Sequence, residues 1–325
     1  RLATAAGIAP TAARWLALLS PLVAVHLVSG AHNDALTAGL TVAALAAATS
    51  TNVRRRTDRA AGSPEGPPWR AALAAGAFIG LAVAVKVTAV IALPFVILLV
   101  AGRWAGRRPT TAIATAAITV TATGALVFAA ASLATGLDLG WFGALSDTGS
   151  LVQWTSLPTG IGMAAGYVLR AAGWPGAIDT AVYVARICGV AALAVIALAL
   201  CWRALQATLR GLTGDAAATQ RRQVIAAAGW TLAAAAILLP VFYPWYAIAP
   251  LAVLACATPP GRTRTALAAT AIAITALIIP NGLGLAVLTK LPGAILDVAI
   301  VAALAYRFRS HRSSQDEPAP AAGER

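Results

Sequence analysis

The chain contains 325 residues, of which only 11% are charged and 59% are hydrophobic. A soluble domain carries about 25% charged residues, so this composition excludes a soluble globular enzyme. The net charge of +13 comes from arginines that lie mainly between apolar runs. That placement follows the positive-inside rule of membrane proteins, and we expect no nucleic-acid partner. The apolar runs lack the alternation of a membrane barrel and predict an all-α polytopic membrane protein.

Basic segments at the ends of the apolar runs predict about ten transmembrane helices, paired so that their basic ends face the cytoplasm. The predicted spans are 15–28, 35–51, the two arms of 71–102, 110–134, 177–200, 224–241, 247–257, 265–279 and 293–306. The stretch 71–102 is expected to be a hairpin that bends near Lys86. The first span has about 14 residues and covers only about 21 Å of a core of about 30 Å. The polar segment 29–34 is therefore expected to lie below the membrane surface.

Other segments are expected to lie outside the spans. Residues 135–157 predict a long external loop that contains Asp138, Trp141, Asp147, Gln153 and Trp154. Residues 158–173 are expected to form an interfacial or re-entrant helix, because a further span would break the alternation of basic loops. Residues 1–312 are thus expected to form the membrane bundle, and 313–325 a disordered cytoplasmic tail. The chain begins with Arg1 and has no signal segment, which predicts the C-terminal portion of a longer polypeptide.

Ionisable groups at membrane depth are costly, so each one is a candidate functional group. The groups that the topology places on the outer face are His32, Asp34, Lys86, Asp138, Asp147 and the aromatic segment 243–246. Together they predict an extracytoplasmic site. Structural alternatives remain: Asn33 can cap the next helix, Lys86 can extend to the interface, and the aromatic residues can form an interfacial belt. The functional alternatives are a phosphate clamp and a sugar-stacking wall.

Two further ionisable residues are expected to serve packing, His26 inside the bundle and Asp297 at a helix–helix contact. The sequence has no Cys/His spacing typical of a metal site and no glycine-rich phosphate loop. We therefore expect neither a metal nor another cofactor. The three cysteines lie in or beside apolar runs and are interpreted as small hydrophobic residues.

Several segments, in chain order, resemble one family. The sequence SGAHNDAL at 29–36 resembles the GAHNDAL signature of the actinobacterial polyprenol-phosphomannose-dependent α-1,6-mannosyltransferases, which belong to the GT-C superfamily. AVKVTA and ALPF within 84–95 resemble the VKATA…LPF hairpin of that family. YPWY at 243–246 resembles its PWY motif, and residues 140–142 through Trp154 resemble its long external loop.

The resemblance implies a GT-C-like bundle embedded in membrane lipid. It also implies a polyprenyl-phosphate mannose donor and a mannan- or lipomannan-type glycolipid acceptor on the extracytoplasmic face of the plasma membrane. Transfer would form α-1,6 linkages with inversion at the donor carbon. Such a reaction needs a carboxylate base for the acceptor hydroxyl and groups that stabilise the departing phosphate.

The family motifs also imply site residues. The expected donor or phosphate-binding residues are His32, Asn33 and Lys86. The expected sugar-binding residues are Tyr243, Trp245, Tyr246 and Trp154. The main catalytic base is expected N-terminal to Arg1, and Asp34 is the substitute candidate within this chain.

A transporter or flippase for a lipid-linked or small polar solute is the main alternative function. It would need charged groups along a path to both membrane faces, and the cytoplasmic half offers only loop arginines. A degenerate transferase retained as a partner subunit is a third interpretation. The shared-site hypothesis states that His32 and Lys86 belong to one site. A structure that places them on opposite faces, more than about 15 Å apart, would contradict it.

Overall fold

The computed structural model describes residues 1–49, 68–104, 107–136, 151–213, 217–278 and 284–313. Every regular element in these ranges is helical, which confirms the predicted all-α class. The α-helices are α1 (Leu2–Ala5), α2 (Pro10–Leu18), α3 (Pro21–Val23), α4 (Asp34–Thr49), α5 (Pro68–Val85), α6 (Leu93–Ala101), α7 (Pro109–Thr135), α8 (Leu157–Ala171), α9 (Ala177–Thr213), α10 (Ala217–Leu238), α11 (Ile248–Ala257), α12 (Arg262–Thr275), α13 (Leu285–Leu288) and α14 (Lys290–Ser313). A π-helical segment (Ala24–Ser29) follows α3, and 3-10 segments (Val87–Ala92 and Pro244–Ala247) precede α6 and α11.

Three of the described helices are long and apolar enough to cross a membrane: α5, α7 and the Ala177–Leu212 part of α9. The pair Pro10–Leu18 and Pro21–Ser29 counts as a fourth if the two helices form one span, which is bent by 46°. The lengths and compositions of these helices identify a helical membrane protein. The number of ten spans remains a prediction.

Helix α9 continues past Leu200, where the predicted span ends. It includes Arg203 and Arg210 and has 37 residues, because Ala, Leu, Arg and Gln favour helix and no proline interrupts them. At 1.5 Å per residue it is about 55 Å long, whereas the bilayer core is about 30 Å thick. An arginine-bearing end of α9 therefore extends beyond the apolar layer.

Some predictions concern residues outside the described ranges. These are Asp138, Trp141 and Asp147, the 140–142 motif and the tail from 314 onwards. The expected external loop and the expected disordered tail remain predictions for those residues.

Buried apolar residues form two clusters. The first lies where α4, α5, α6, α7 and α10 meet, and it includes Phe95 and Val120. The second includes Trp154 and Trp245 and joins α8 to α11 and α14. The candidate site lies beside the second cluster, at the start of α4.

Close helix packing depends on glycine. A Cβ on Gly76 would lie 2.8 Å from the Val120 carbonyl oxygen of α7, and a Cβ on Gly80 would overlap the backbone of Gly124. In α8, a Cβ on Gly162 or Gly166 would lie 2.6 Å from a Cα atom of α9. Small residues allow helix backbones to approach where lipid replaces water as the solvent. Gly162 and Gly166 of the 158–173 segment thus serve the contact between α8 and α9.

Candidate active site

The site begins at a break between two helices. Helix α5 ends at Val85, and Lys86 has an extended backbone with φ −154° and ψ 114° before the 3-10 segment begins. The break coincides with the predicted bend. Because the helix stops here, the Lys86 side chain is directed to the first residue of α4, Asp34.

Lys86 and Asp34 form an ion pair. The Lys86 Nζ donates to Asp34 Oδ1 at 2.7 Å, and the side chains are 22% and 9% exposed. Asp34 lies at the N-terminus of α4, where the helix dipole also favours a negative charge. Neither charge is free in this state. The predicted phosphate clamp is therefore occupied by a carboxylate of the same chain.

Tyr246 covers the ammonium group of Lys86. The Nζ atom lies 3.5 Å from the centroid of the Tyr246 ring, which is the geometry of a cation–π contact. The Tyr246 ring meets the rings of Tyr243 and Trp245 edge to face, at centroid distances of 5.6 Å and 6.3 Å. Lys86 is thus joined to the predicted aromatic segment.

Trp245 lies at the centre of the aromatic cluster. The rings of His32 and Tyr243 both stack on it, with centroid distances of 3.9 Å and 4.6 Å. His32 and Lys86 therefore belong to one cluster, as the shared-site hypothesis requires, although each contacts a different ring. Trp245 is only 8% exposed. Its indole is engaged by protein rings, so its stacking on a sugar remains a prediction.

Trp154 belongs to the same buried apolar cluster as Trp245, but its hydrogen bond goes to another segment. Its Nε1 donates to the Ala286 carbonyl at 3.0 Å, and its indole ring fills the space that a side chain on Gly293 would take. Both its polar atom and its ring surface serve contacts with the segment around α13 and α14. Its place in the sugar-binding wall remains a prediction.

Asn33 also differs from expectation. It is exposed, and its carbonyl oxygen accepts backbone hydrogen bonds from the first turn of α4. It lies between His32 and Asp34 in the chain, but it belongs to neither the ion pair nor the ring stack. Its role in donor binding remains a prediction.

A polar segment that the sequence interpretation missed supports the aromatic cluster. Hydroxyl groups of Thr155, Ser156 and Thr159 donate to the carbonyls of Phe242, Leu239 and Pro240 at 2.7–2.8 Å. The amide of Gln153 donates to the Tyr243 hydroxyl at 3.3 Å. These bonds satisfy carbonyls after the end of α10, where Pro240 and Pro244 interrupt helical bonding. The sequence TSLPT, which is rich in hydroxyl groups, could have indicated these hydrogen bonds from the sequence alone.

We expect this hydroxyl support to contribute to stability. Ser156→Ala and Thr159→Val each leave a half-buried carbonyl without its donor, which costs about 1 kcal/mol. Thermal unfolding in detergent should show a lower midpoint for both variants. Thr135→Ala is the matched control, because Thr135 also bonds to a backbone carbonyl but is exposed. A midpoint loss no larger than that of the control would contradict the supporting role.

The space between Asp34, Lys86 and Tyr246 is small. The cavity measures about 60 Å³ and is also lined by Thr37, Thr41 and residues of α10 and α11. One water takes about 30 Å³ of liquid volume, so a hexose does not fit without movement of the walls. A larger hollow of about 560 Å³ lies near Trp15 and Arg264, away from the ion pair.

Both residues expected to serve packing are buried, and Asp297 Oδ2, like His26 Nδ1, has no hydrogen-bond partner among the described residues. Asp297 is buried in α14 against Gly160 of α8, which confirms the predicted helix–helix contact. His26 is fully buried in the π-helical segment, and its Nε2 lies 3.2 Å from the Thr275 carbonyl oxygen. Its Nδ1 has no hydrogen-bond partner among the described residues, so packing alone does not account for this side chain.

The described residues define a class of protein: a helical membrane protein that encloses an ion pair and an aromatic cluster among its helices. Two family models match the chain. One, described as alpha-(1->6)-mannopyranosyltransferase, N-terminal domain, matches residues 1–102. The other, described as MptB C-terminal domain, matches residues 158–307. The chain belongs to this alpha-(1->6)-mannopyranosyltransferase family.

Curated relatives agree with the family models. Alpha-(1->6)-mannopyranosyltransferase A of Mycobacterium tuberculosis is 31% identical over 83% of this chain and 46% of its own length. A probable alpha-(1->6)-mannopyranosyltransferase of Mycolicibacterium smegmatis is 31% identical over 98% of this chain and 57% of its own length. Alpha-(1->6)-mannopyranosyltransferase B of Corynebacterium glutamicum is 28% identical over 90% of this chain and 45% of its own length. The chain thus spans about half the length of these relatives. No solved structure matches it.

Proposed function

We propose that the protein transfers mannose from a polyprenyl-phosphate mannose donor to a mannan- or lipomannan-type glycolipid. The proposed site is the Asp34–Lys86 pair with its aromatic cluster, and the proposed location is the extracytoplasmic face of the plasma membrane. The observation that carries this proposal is the ion pair at 2.7 Å beside a small cavity, in a chain whose relatives are named as mannopyranosyltransferases. The family names also support α-1,6 as the linkage formed.

The proposed reaction is a single displacement. The acceptor hydroxyl oxygen attacks the anomeric carbon of mannose while the bond from that carbon to the phosphate oxygen breaks. The electron pair of that bond stays with the phosphate, and a base takes the proton of the attacking hydroxyl. Attack from the opposite side inverts the anomeric configuration. The protein must therefore supply a cation for the phosphate and an acceptor for the proton.

Lys86 and Asp34 can supply these two functions if they separate. A lipid phosphate competes with the Asp34 carboxylate for the Lys86 ammonium, because both anions accept the same charge-assisted hydrogen bond. Once displaced, Asp34 is an unpaired carboxylate beside the cavity and can accept a proton. The exchange also widens the cavity of about 60 Å³, since its walls carry both side chains. Binding of the donor phosphate to Lys86 and release of the Asp34 carboxylate from Lys86 thus occur together.

The experiment that tests the proposed function uses the full-length protein in membranes. A polyprenyl-phosphate mannose labelled in the sugar is the donor, and a short synthetic α-mannoside is the acceptor. We expect an elongated product that an α-1,6-specific mannosidase shortens again. Movement of lipid-linked sugar across vesicles without elongation would contradict the proposal and favour a transporter.

A further inference from the structure

Two histidines beside Trp245 have a ring nitrogen without a partner. The Nδ1 of His26 and the Nε2 of His32 are both buried, and neither has a hydrogen-bond partner among the described residues. The two ring centroids lie 6.3 Å apart, and both rings contact Trp245, at 5.3 Å for His26 and 3.9 Å for His32. Buried polar atoms in native proteins nearly always have partners. Two such atoms next to one indole ring therefore indicate a position for a small polar group, either a water molecule or a ligand hydroxyl that replaces it.

The hydrogen bond of His26 determines which of its nitrogens carries the proton. Its Nε2 lies 3.2 Å from the carbonyl oxygen of Thr275, and a carbonyl oxygen only accepts hydrogen bonds. Nε2 therefore carries the proton, and Nδ1 of the neutral ring is a hydrogen-bond acceptor. A ligand for His26 must bring a donor group to this nitrogen.

A hydroxyl group fits both histidines. It can donate its hydrogen to Nδ1 of His26, and its oxygen can accept a hydrogen bond from Nε2 of His32 in the tautomer that carries the proton there. An ionised phosphate or carboxylate has no hydrogen to donate to His26. The site thus differs chemically from the neighbouring Lys86, whose ammonium binds anions.

We propose that His26 and His32 bind a hydroxyl group of the carbohydrate acceptor. This inference rests on the proposed function, which brings a mannoside to the aromatic cluster. It divides the site into two halves. The half at Lys86 and Tyr246 binds an anion, and the half at the two histidines and Trp245 binds a neutral group. It also assigns His32 to the sugar rather than to the phosphate.

Access to the histidine pair depends on His32. His26 is fully buried, whereas His32 is half-buried and lies in the short segment before α4. The preceding residue, Ala31, has a φ of 51°, a left-handed conformation that is rare for residues other than glycine. A hydroxyl group therefore approaches Nδ1 of His26 from the side of His32, which is the more exposed of the two rings.

Two substitutions of His26 separate ligand binding from packing. In His26→Gln, the side-chain amide reaches the position of Nε2 and keeps the bond to Thr275, but no polar atom replaces Nδ1. In His26→Asn, the shorter amide replaces Nδ1 and loses the bond to Thr275. We expect His26→Gln to raise the acceptor KM about tenfold, with the donor KM unchanged. We expect His26→Asn to lower the thermal midpoint while it keeps the acceptor KM. The reverse order of acceptor KM values would overturn the proposal.

A binding measurement without turnover separates this inference from the proposed function. The chain has three histidines, so ¹⁵N-histidine labelling of the His311→Gln protein in nanodiscs leaves two rings to assign. We expect a synthetic α-1,6-dimannoside to move the unprotonated Nδ1 signal of His26 upfield, and a prenyl phosphate to leave it in place. An unmoved signal at saturating dimannoside overturns the inference even if the protein transfers mannose. A moved signal in a protein without transferase activity supports the hydroxyl site and contradicts the proposed function.

Discussion

Replacing Lys86 with methionine is expected to reduce mannose transfer about 10²- to 10³-fold, the usual effect of removing one group that stabilises a developing anion. Methionine keeps most of the volume and the contact with Tyr246 but removes the charge. The loss should appear in kcat as well as in the donor KM, because the phosphate gains charge in the transition state. The assay is initial-rate transfer in nanodiscs at matched protein concentration.

Asp34→Asn is expected to have the opposite effect on donor binding. The amide no longer competes as an anion, so Lys86 is free for the phosphate and the donor KM should fall about tenfold. Turnover should fall as well, by about 10²-fold or more, if Asp34 takes the acceptor proton. Binding of polyprenyl phosphate alone checks the first effect independently of turnover.

The chain offers a matched control for each substitution. Lys290→Met removes the other lysine, which is exposed at the start of α14, and Asp179→Asn removes an exposed acid from the first turn of α9. Both controls should retain activity. Equal donor affinity in the wild type and in Asp34→Asn would show that the phosphate does not displace the carboxylate.

The largest expected effect on folding belongs to Gly80. An alanine there would place its Cβ inside the backbone of Gly124, and backbone cannot move aside as a flexible side chain can. The two helices would have to separate along their whole contact, at a cost of about 3 kcal/mol or more. We expect Gly80→Ala to lower the thermal midpoint strongly and Gly80→Leu to give no monodisperse protein in size-exclusion chromatography.

Gly39 provides the control for this prediction. It lies on the exposed side of α4, and a Cβ added there meets no atom within 4 Å. Gly39→Ala should therefore stabilise the protein by about 0.5–1 kcal/mol, because alanine favours helix over glycine. If Gly80→Ala and Gly39→Ala unfold at the same temperature, α5 and α7 do not pack as closely as the structure shows.

Local features of the site were accessible from sequence. The break at Lys86 was predicted because a charged residue interrupts a long apolar stretch with basic residues at both ends. The aromatic segment 243–246 was predicted to lie between two spans, and the structure places it between α10 and α11. The polar residues before α4 were predicted to lie on the same face as Lys86 and the aromatic segment. In the structure, His32 stacks on Trp245 and Asp34 pairs with Lys86.

Contacts between residues that are distant in the chain could not be predicted from the sequence in the same way. Asp34 and Lys86 are 52 residues apart, and each was interpreted alone, as a base candidate and as a phosphate clamp. Trp154 was grouped with the other aromatic residues by type, but the space above Gly293 decides where its ring lies. A single sequence shows which residues are unusual, whereas the complementary shapes and charges that select their partners appear only after folding.

The Asp34–Lys86 pair has a consequence for ligand discrimination. A neutral hexose carries no anion that could replace the Asp34 carboxylate, so the Lys86 ammonium stays paired with Asp34 when such a sugar is present. A phosphorylated sugar brings its own anion and exchanges it for Asp34. In the proposed mechanism, the resting pair therefore selects, at the Lys86 half of the site, a ligand that brings its own anion.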